Sequence, residues 1–410
     1  MKIDLLIINA KELLTISGPK RARIRKEMSE LGTIEDGAIA VDKGRIIDVG
    51  KTTQIKKKYH AEETIDANKK VVMPGFVDCH THLIYAGTRE DELSMKLKGV
   101  SYMNILKSDG GILKTVRETR KASKKELFEL TKRRLDTILM NGTTTVEIKS
   151  GYGLTTKDEI KLLEVINELN EKHPIDIVPT FLGAHTVPTE YNSDEYVDLI
   201  INEMIPLVAK NKLAKFCDVF CEEGVFSIEQ SRRILNEGKK YGLKQKIHAD
   251  EIVNTNGAEL AAEVKAITAE HLLKSSEEGI MKLSKANVIA TLLPATSFCM
   301  DTNYANARFM INNNVPVALA TDFNPGCLCC AMQFVINLAC YKLKMTPEEA
   351  ITASTINSAY AIDMGNEVGS LEIGKKADIL IIGVPNHKFI PLCLGGNIIE
   401  KVIKNGKIIK

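Results

Sequence analysis

From about residue 71 onward, short β-branched and apolar runs alternate with longer stretches whose apolar positions recur at helical spacing. Eight runs stand out: "FVDCHTHL", "TTTVEIKS", "DIVPTFLGAH", "AKFCDVFCEE", "LKQKIHADE", "KAITAEH", "NVIATLLP" and "VPVALATDF". Each is rich in Val, Ile, Thr or Phe, the composition of parallel strands buried on both faces.

Several intervening segments announce a helix start. Ser123 with Glu126 precedes "LFELTKRRLDTILMNG", Thr156 with Glu159 precedes "IKLLEVINEL", and Ser227 with Gln230 opens "SRRILNEGKKYG". Thr346, with Pro347 at the first helical position and Glu349 beyond it, opens "AITASTINSAYA". In each, the cap oxygen accepts an otherwise unpaired backbone N–H, and the partner three residues on reaches back. This alternation predicts an α/β fold, a closed (β/α)8 TIM-type barrel over residues 71–369.

The two ends have another texture. Residues 1–70 contain "DLLIINA", "GAIAVDKGRIIDVG" and "ETIDA", short strands separated by Gly and Asp turns. Residues 370–410 repeat it in "KKADILIIG" and "IIEKVIKNGKIIK", where Asn405-Gly406 is a hairpin turn. Both ends together predict one small β-sandwich-like domain beside the barrel.

Composition narrows the class. The chain has 410 residues, 44% hydrophobic and 26% charged, as a soluble globular protein with a large core does. Its net charge of +2 gives no electrostatic case for nucleic acid or an acidic membrane. No segment approaches the roughly 20 apolar residues of a transmembrane helix. The N-terminal apolar run lacks a small-residue cleavage site, so a signal peptide is not expected. Nine scattered cysteines fit reduced thiols and a cytoplasmic location better than a disulfide framework. The "CLCC" cluster (Cys327, Cys329, Cys330) lacks a second paired cluster at zinc-site spacing.

The histidines supply the chemistry. Among the eight, five fall at or near the ends of predicted barrel strands: His80 and His82, His185, His248 and His271. Asp322 ends the eighth strand in "VALATDFNPG". Barrel active sites are built at that face from the ends of different strands. Residues two apart in a strand point the same way, so His80 and His82 can offer two imidazoles to one ion. With His248 and Asp322 they form a three-histidine, one-aspartate set suited to a borderline divalent metal. Such an ion lowers the pKa of a water toward roughly 7. In "HADE", Glu251 follows His248 by three residues and can move a proton between nucleophile, substrate nitrogen and leaving group. His271, after "AITAE", can orient or deprotonate the water. The residues point to a metal-assisted hydrolase.

Through "MPGFVDCHTHL", "HADE", "EH", "TDFNPG" and the split β domain, the chain resembles the amidohydrolase superfamily. The closer resemblance, over essentially the whole chain, is to the branch that opens an imidazolone ring in histidine degradation. It is carried by "FVDCHTHLIYAGTRE", "GGILKTVRETRKAS", "GTTTVEIKSGYGL", "FLGAHTVP", "ATDFNPG" and "ITASTINSAYAI". That resemblance implies hydrolysis of 4-imidazolone-5-propanoate to N-formimidoyl-L-glutamate with one zinc or iron ion per subunit. It implies that His80, His82, His248 and Asp322 hold the metal, and that Glu251, His271 and Asp322 serve catalysis. Arg89, Tyr102, Tyr152, His185, Glu251, Asn324 and Gly326 would contact substrate or product. A homodimer is expected from the family alone.

Elementary chemistry agrees with these roles. An arginine fork binds carboxylates in bidentate fashion, and the substrate's propanoate is a carboxylate that Arg89 is placed to meet. Tyr152 lies between glycines that allow close approach, and His185 can donate to a ring carbonyl. Two positions depart from the family pattern. Cys327 stands where a small hydroxyl residue usually contacts substrate, and a thiol is a poorer hydrogen-bond partner. The bridging lysine that binuclear members carry on strand 4 is absent; that run ends in Glu222 and Glu223, which favours one metal, with Glu222 as the candidate bridge to a second. The rivals are an aminohydrolase of a cytosine- or guanine-like ring, which has less use for Arg89, and a non-catalytic scaffold, which would lack part of the ligand set.

Overall fold

The computed structural model describes residues 1–99 and 110–410. Eight parallel strands follow one another around the barrel in chain order. Five strands precede them in the terminal sheet: β1 (Lys2–Leu14), β2 (Thr33–Asp42), β3 (Arg45–Lys51), β4 (His60–Asp66) and β5 (Val71–Pro74). The barrel strands are β6 (Phe76–Asp78), β7 (Thr143–Lys149), β8 (Asp176–Ala184), β9 (Phe216–Cys221), β10 (Lys244–Ala249), β11 (Thr268–His271), β12 (Ile289–Leu292) and β13 (Val317–Leu319). Each predicted run contains one of them. In β7 the outward Val146 and Ile148 join the main apolar core, while Glu147 and Lys149 point into the barrel.

The first and last barrel strands meet only beyond their ends. Thr81 bridges Phe323, Asp322 N donates to His80 O at 3.1 Å, and His82 N donates to Phe323 O at 2.9 Å. Asp78 reinforces this seam, accepting from Thr321 N at 3.0 Å and Thr321 Oγ1 at 2.6 Å. His80 and His82 therefore lie past β6, on backbone held by the seam.

Helices Lys124–Met140, Ile228–Lys240 and Pro347–Ala353 begin at Ser123, Ser227 and Thr346, each cap accepting the N–H three residues on. Such caps stabilise by roughly 1 kcal/mol each. Two expectations are corrected. The cap of helix Thr156–Lys172 is Thr155, not Thr156, and accepts from Asp158 N. Glu159 turns instead to the preceding loop. "AITASTINSAYA" forms two helices, Pro347–Ala353 and Ile356–Ala361. The break follows from Ser354 and Thr355, whose hydroxyls both donate to Ile351 O at 3.2 and 2.6 Å and compete with the helix ladder.

The termini build a single mixed sheet, completed by β14 (Ile379–Ile382), β15 (Ile399–Lys404) and β16 (Lys407–Ile408). β5, numerically beyond residue 70, belongs to it, pairing with β1 and β14. The sheet curls back on itself, where Arg45 bridges Lys376, and encloses a cluster of Leu5, Ile39, Ile46, Ile379 and Ile403, while Ile3, Leu6, Ile8, Ala38, Ala40 and Ile55 form a second cluster. Asn405 and Gly406 make the hairpin turn with φ of 49° and 75°. Gly75 joins sheet to barrel, where a Cβ would lie 2.1 Å from Thr144 Oγ1. Across that junction Lys404 Nζ lies 2.6 Å from both Asp176 and Asp378.

Candidate active site

At the C-terminal mouth of the barrel, three imidazole nitrogens and one carboxylate oxygen converge. His80 Nε2 lies 3.2 Å from His82 Nε2, which lies 3.4 Å from His248 Nε2. Asp322 Oδ1 is 3.5 Å from both His80 Nε2 and His82 Nε2. The far sides of two rings are fixed by carboxylates: His80 Nδ1 is 2.7 Å from Glu270 Oε2, and His248 Nδ1 is 3.1 Å from Asp218 Oδ2. A carboxylate can only accept, so each Nδ1 carries the proton and each Nε2 presents a lone pair inward. Thr296 Oγ1 donates to Asp322 Oδ2 at 2.5 Å and turns Oδ1 toward the same point. Burial lowers His80 to about 3 and raises Asp322 to about 6, so both are in their metal-binding forms at neutral pH.

Beneath these donors lies a fully buried charge network. Lys149 Nζ meets Asp218 at 2.7 Å, Glu270 at 3.0 Å and Glu147 at 3.1 Å. Lys246 Nζ lies 2.8 Å from both Glu147 and Glu270 and donates to Cys79 O at 2.9 Å. These four carboxylates, with Asp322 counted among them, exceed the two ammonium groups by two negative charges. Facing lone pairs together with that surplus fit a divalent cation. In the lower cluster the ammonium groups already fill the cationic position. None of its five members was singled out from sequence. The available signal was a charged residue inside an apolar strand, as in "TVEIK", "CDVFC" and "KQKIH", which must pair when buried.

Above the donors is a cavity of about 110 Å³. His82, His248 and Asp322 form its floor, and Arg89, Tyr152, His185, Glu251 and His271 line its walls. Asn324, Gly326 and Cys327 line the rim. Tyr102 lies outside the described residues. Tyr152 is held by the loop Gly151–Leu154, whose N–H groups at 151, 153 and 154 all donate to the buried Glu159 carboxylate at 2.7–3.2 Å. His185 stacks on His82 with ring centroids 4.9 Å apart, and its Nδ1 lies 3.0 Å from Gly151 O. Asn324 is used within its own turn: Nδ2 donates to Asp322 O at 2.8 Å, and Oδ1 accepts from Gly326 N and Cys327 N at 2.8 and 3.1 Å. Cys327 Sγ sits 3.1 Å from Cys299 Sγ.

Glu251 faces this cavity with His271 Nδ1 3.6 Å away. Burial and then the Asp322 charge push its carboxyl up to about 8. His271 also brings a ring nitrogen close to those of His80 and His248, which makes it a further candidate donor to an ion. Glu222 does not join the convergent groups: its carboxylate accepts Ile252 N at 2.8 Å and Val253 N at 3.3 Å. It supports the loop that presents Glu251.

The barrel and its donor set define a hydrolase of the amidohydrolase class, and the model of the amidohydrolase family matches residues 71–409. An imidazolonepropionase of Alkaliphilus metalliredigens is 51% identical over 415 residues, covering 100% of this chain and 98% of the relative. One from Geobacillus kaustophilus is 51% identical over 413 residues, covering 99% and 97%. The chain belongs to the imidazolonepropionase family of amidohydrolases. A zinc-bound adenosine deaminase from Xanthomonas campestris superposes with a TM-score of 0.74 over 99% of this chain and 93% of that one, at 18% identity. Guanine deaminase of E. coli gives 0.72 over 99% and 98% at 15% identity, so these likenesses concern the fold. No helix among the described residues is long and apolar enough to cross a membrane.

Proposed function

We propose that the protein opens the ring of 4-imidazolone-5-propanoate, adding water across a C–N bond to give N-formimidoyl-L-glutamate. The observation that carries this reading is Arg89, whose guanidinium suits a carboxylate, lining the same cavity as His82, His248 and Asp322. His80, His82, His248 and Asp322 would hold one zinc or iron ion. When bound, such an ion polarises a carbonyl oxygen and acidifies water.

The chain's own groups do the rest. Arg89 binds the propanoate and fixes the ring's orientation. Tyr152 and His185 close on the ring from one side. Glu251, protonated near neutral pH, gives its proton to the ring nitrogen as the C–N bond breaks, and neutral His271 accepts one from the attacking water. A new C–O bond replaces the broken C–N bond, so atoms and charge balance. The reading includes a cytoplasmic location and a homodimer, the second of which sedimentation of the purified protein checks.

Freshly generated imidazolonepropionate, with product detection and metal analysis on one sample, tests it. Release of ammonia from a cytosine- or guanine-like ring, without turnover of the imidazolone, would overturn it in favour of a deaminase.

A further inference from the structure

Glu251 follows β10 and His271 ends β11, and their side chains approach to 3.6 Å. The backbone beside both is left-handed. Asp250, His271 and Leu272 have φ of 53°, 71° and 59°, a region that residues with a Cβ keep only when their surroundings hold them there. The two strands pair as far as Ala249 and His271. Beyond that pair, Leu272 N donates to Ala249 O at 3.0 Å and Lys274 N to Asp250 O at 2.9 Å.

The Asp250 side chain extends this tie. It is fully buried and does not line the cavity. A buried carboxylate needs donors in place of the water it has lost, and this one has five. Oδ1 accepts from Thr255 N at 3.0 Å, Thr255 Oγ1 at 3.2 Å and Gly257 N at 2.9 Å. Oδ2 accepts from Ala258 N at 3.2 Å and Ser275 Oγ at 2.6 Å. One carboxylate thus fastens the far end of the Glu251 loop, the first turn of helix Gly257–Val264 and the loop after His271. Glu222 holds the near end through Ile252 N and Val253 N. Glu251 sits between two fixed stretches of backbone, and one of them is shared with His271.

We propose that Asp250 is a positioning residue: it holds Glu251 and His271 at one spacing, so that proton donor and proton acceptor act on the same ring bond. This inference rests on the reading of Glu251 and His271 as the proton-transfer pair. A misplacement of about 1 Å in such a pair can cost about 100-fold in rate. Arg89, Tyr152 and His185 follow β6, β7 and β8, away from these two loops, so Asp250 governs turnover more than substrate affinity.

The test is steady-state kinetics of the full, metal-loaded protein on imidazolonepropionate in light and heavy water. Asp250→Asn leaves one carbonyl oxygen and sets an NH2 group against backbone N–H donors. We expect kcat to fall about 10- to 100-fold with KM within about 3-fold and bound metal unchanged. The solvent isotope effect on kcat should grow, because the misaligned proton transfer becomes the slow step. Ser275→Ala cuts only the tie to the loop after His271, and should give the same pattern with a loss of about 3- to 10-fold. That variant loses a single hydroxyl and carries the comparison if Asp250→Asn does not fold. An unchanged kcat, a loss confined to KM, or loss of bound metal would each overturn the positioning role. So would a reduced rate with the parental isotope effect, which is what a smaller fraction of intact enzyme gives. Parental turnover in Glu251→Ala would remove the proton-transfer reading, and this inference with it.

Discussion

His185 donates its Nδ1 proton to the carbonyl oxygen of Gly151 at 3.0 Å. A carbonyl can only accept, and burial lowers this histidine to about 3, so the ring is neutral and its Nε2 is an acceptor. Where the sequence predicts a donor to the ring carbonyl, the bond to Gly151 gives His185 the opposite polarity, suited to a substrate N–H. His185→Phe keeps a ring stacked on His82 and removes that acceptor. Its kcat/KM should fall about 10- to 100-fold with metal content unchanged, as kinetics and metal analysis on one sample will register.

Gly151 should be equally sensitive. Its φ is +106°, and a Cβ there would stand 2.9 Å from His185 Nδ1. Gly151→Ala is therefore expected to displace the imidazole and match the loss in His185→Phe, while Gly396→Ala, at a glycine with open space around it and no left-handed backbone, leaves turnover within about 2-fold.

Glu251 predicts a pH signature in the metal-free protein. In the unfolded chain its carboxyl titrates near 4.5, and in the folded protein burial and Asp322 raise it to about 8. Between those values the folded state binds the extra proton, so this group's contribution to stability falls as pH rises from about 4.5 to about 8. Glu251→Gln removes the titration. Denaturant unfolding at pH 5 and pH 8 should show the variant gaining on the parent by roughly 2–4 kcal/mol at the higher pH. In the metal-loaded protein, Glu251→Ala should lose turnover and keep its metal; surviving turnover would refute the proton-transfer role.

Lys149→Met leaves three carboxylates without their shared ammonium group. Removing one partner of a buried ion network costs about 3–5 kcal/mol. It also releases Glu270 and Asp218, which fix His80 and His248. Thermal unfolding and competitive chelation should report a lower Tm and metal affinity reduced about 10- to 100-fold.

Cys327→Ser places a hydroxyl at the rim in place of the thiol beside Cys299. A stronger hydrogen-bond partner there should lower KM about 2- to 5-fold with little change in kcat.

The barrel was legible because β-branched runs and helix caps repeat with the period of a βα unit, and Ser123, Ser227 and Thr346 cap as their spacing predicts. The convergence of His80, His82, His248 and Asp322 was legible because motif and strand end coincide. What sequence concealed was hydrogen-bond allocation. Nothing local says that Asn324 is spent on its own turn, that Glu222 carries the Glu251 loop, or that Gly151 sets the His185 tautomer. Each depends on a neighbour brought in by tertiary packing. The break at Thr355 was missed because apolar periodicity continues through it while hydroxyl groups capture the carbonyls.

The barrel is fastened shut by Asp78 and Thr321, with His80 and Asp322 just beyond on either side of the join. During synthesis these partners emerge far apart in time. A growing chain that has made His80, His82 and even His248 still has no complete set of donors, and the last one arrives with the strand that closes the ring. On the proposed reading of these four residues as metal ligands, capture of a cation by the full set waits until residue 322 has been made, and metal retention by nascent-chain truncations becomes a reporter of barrel completion.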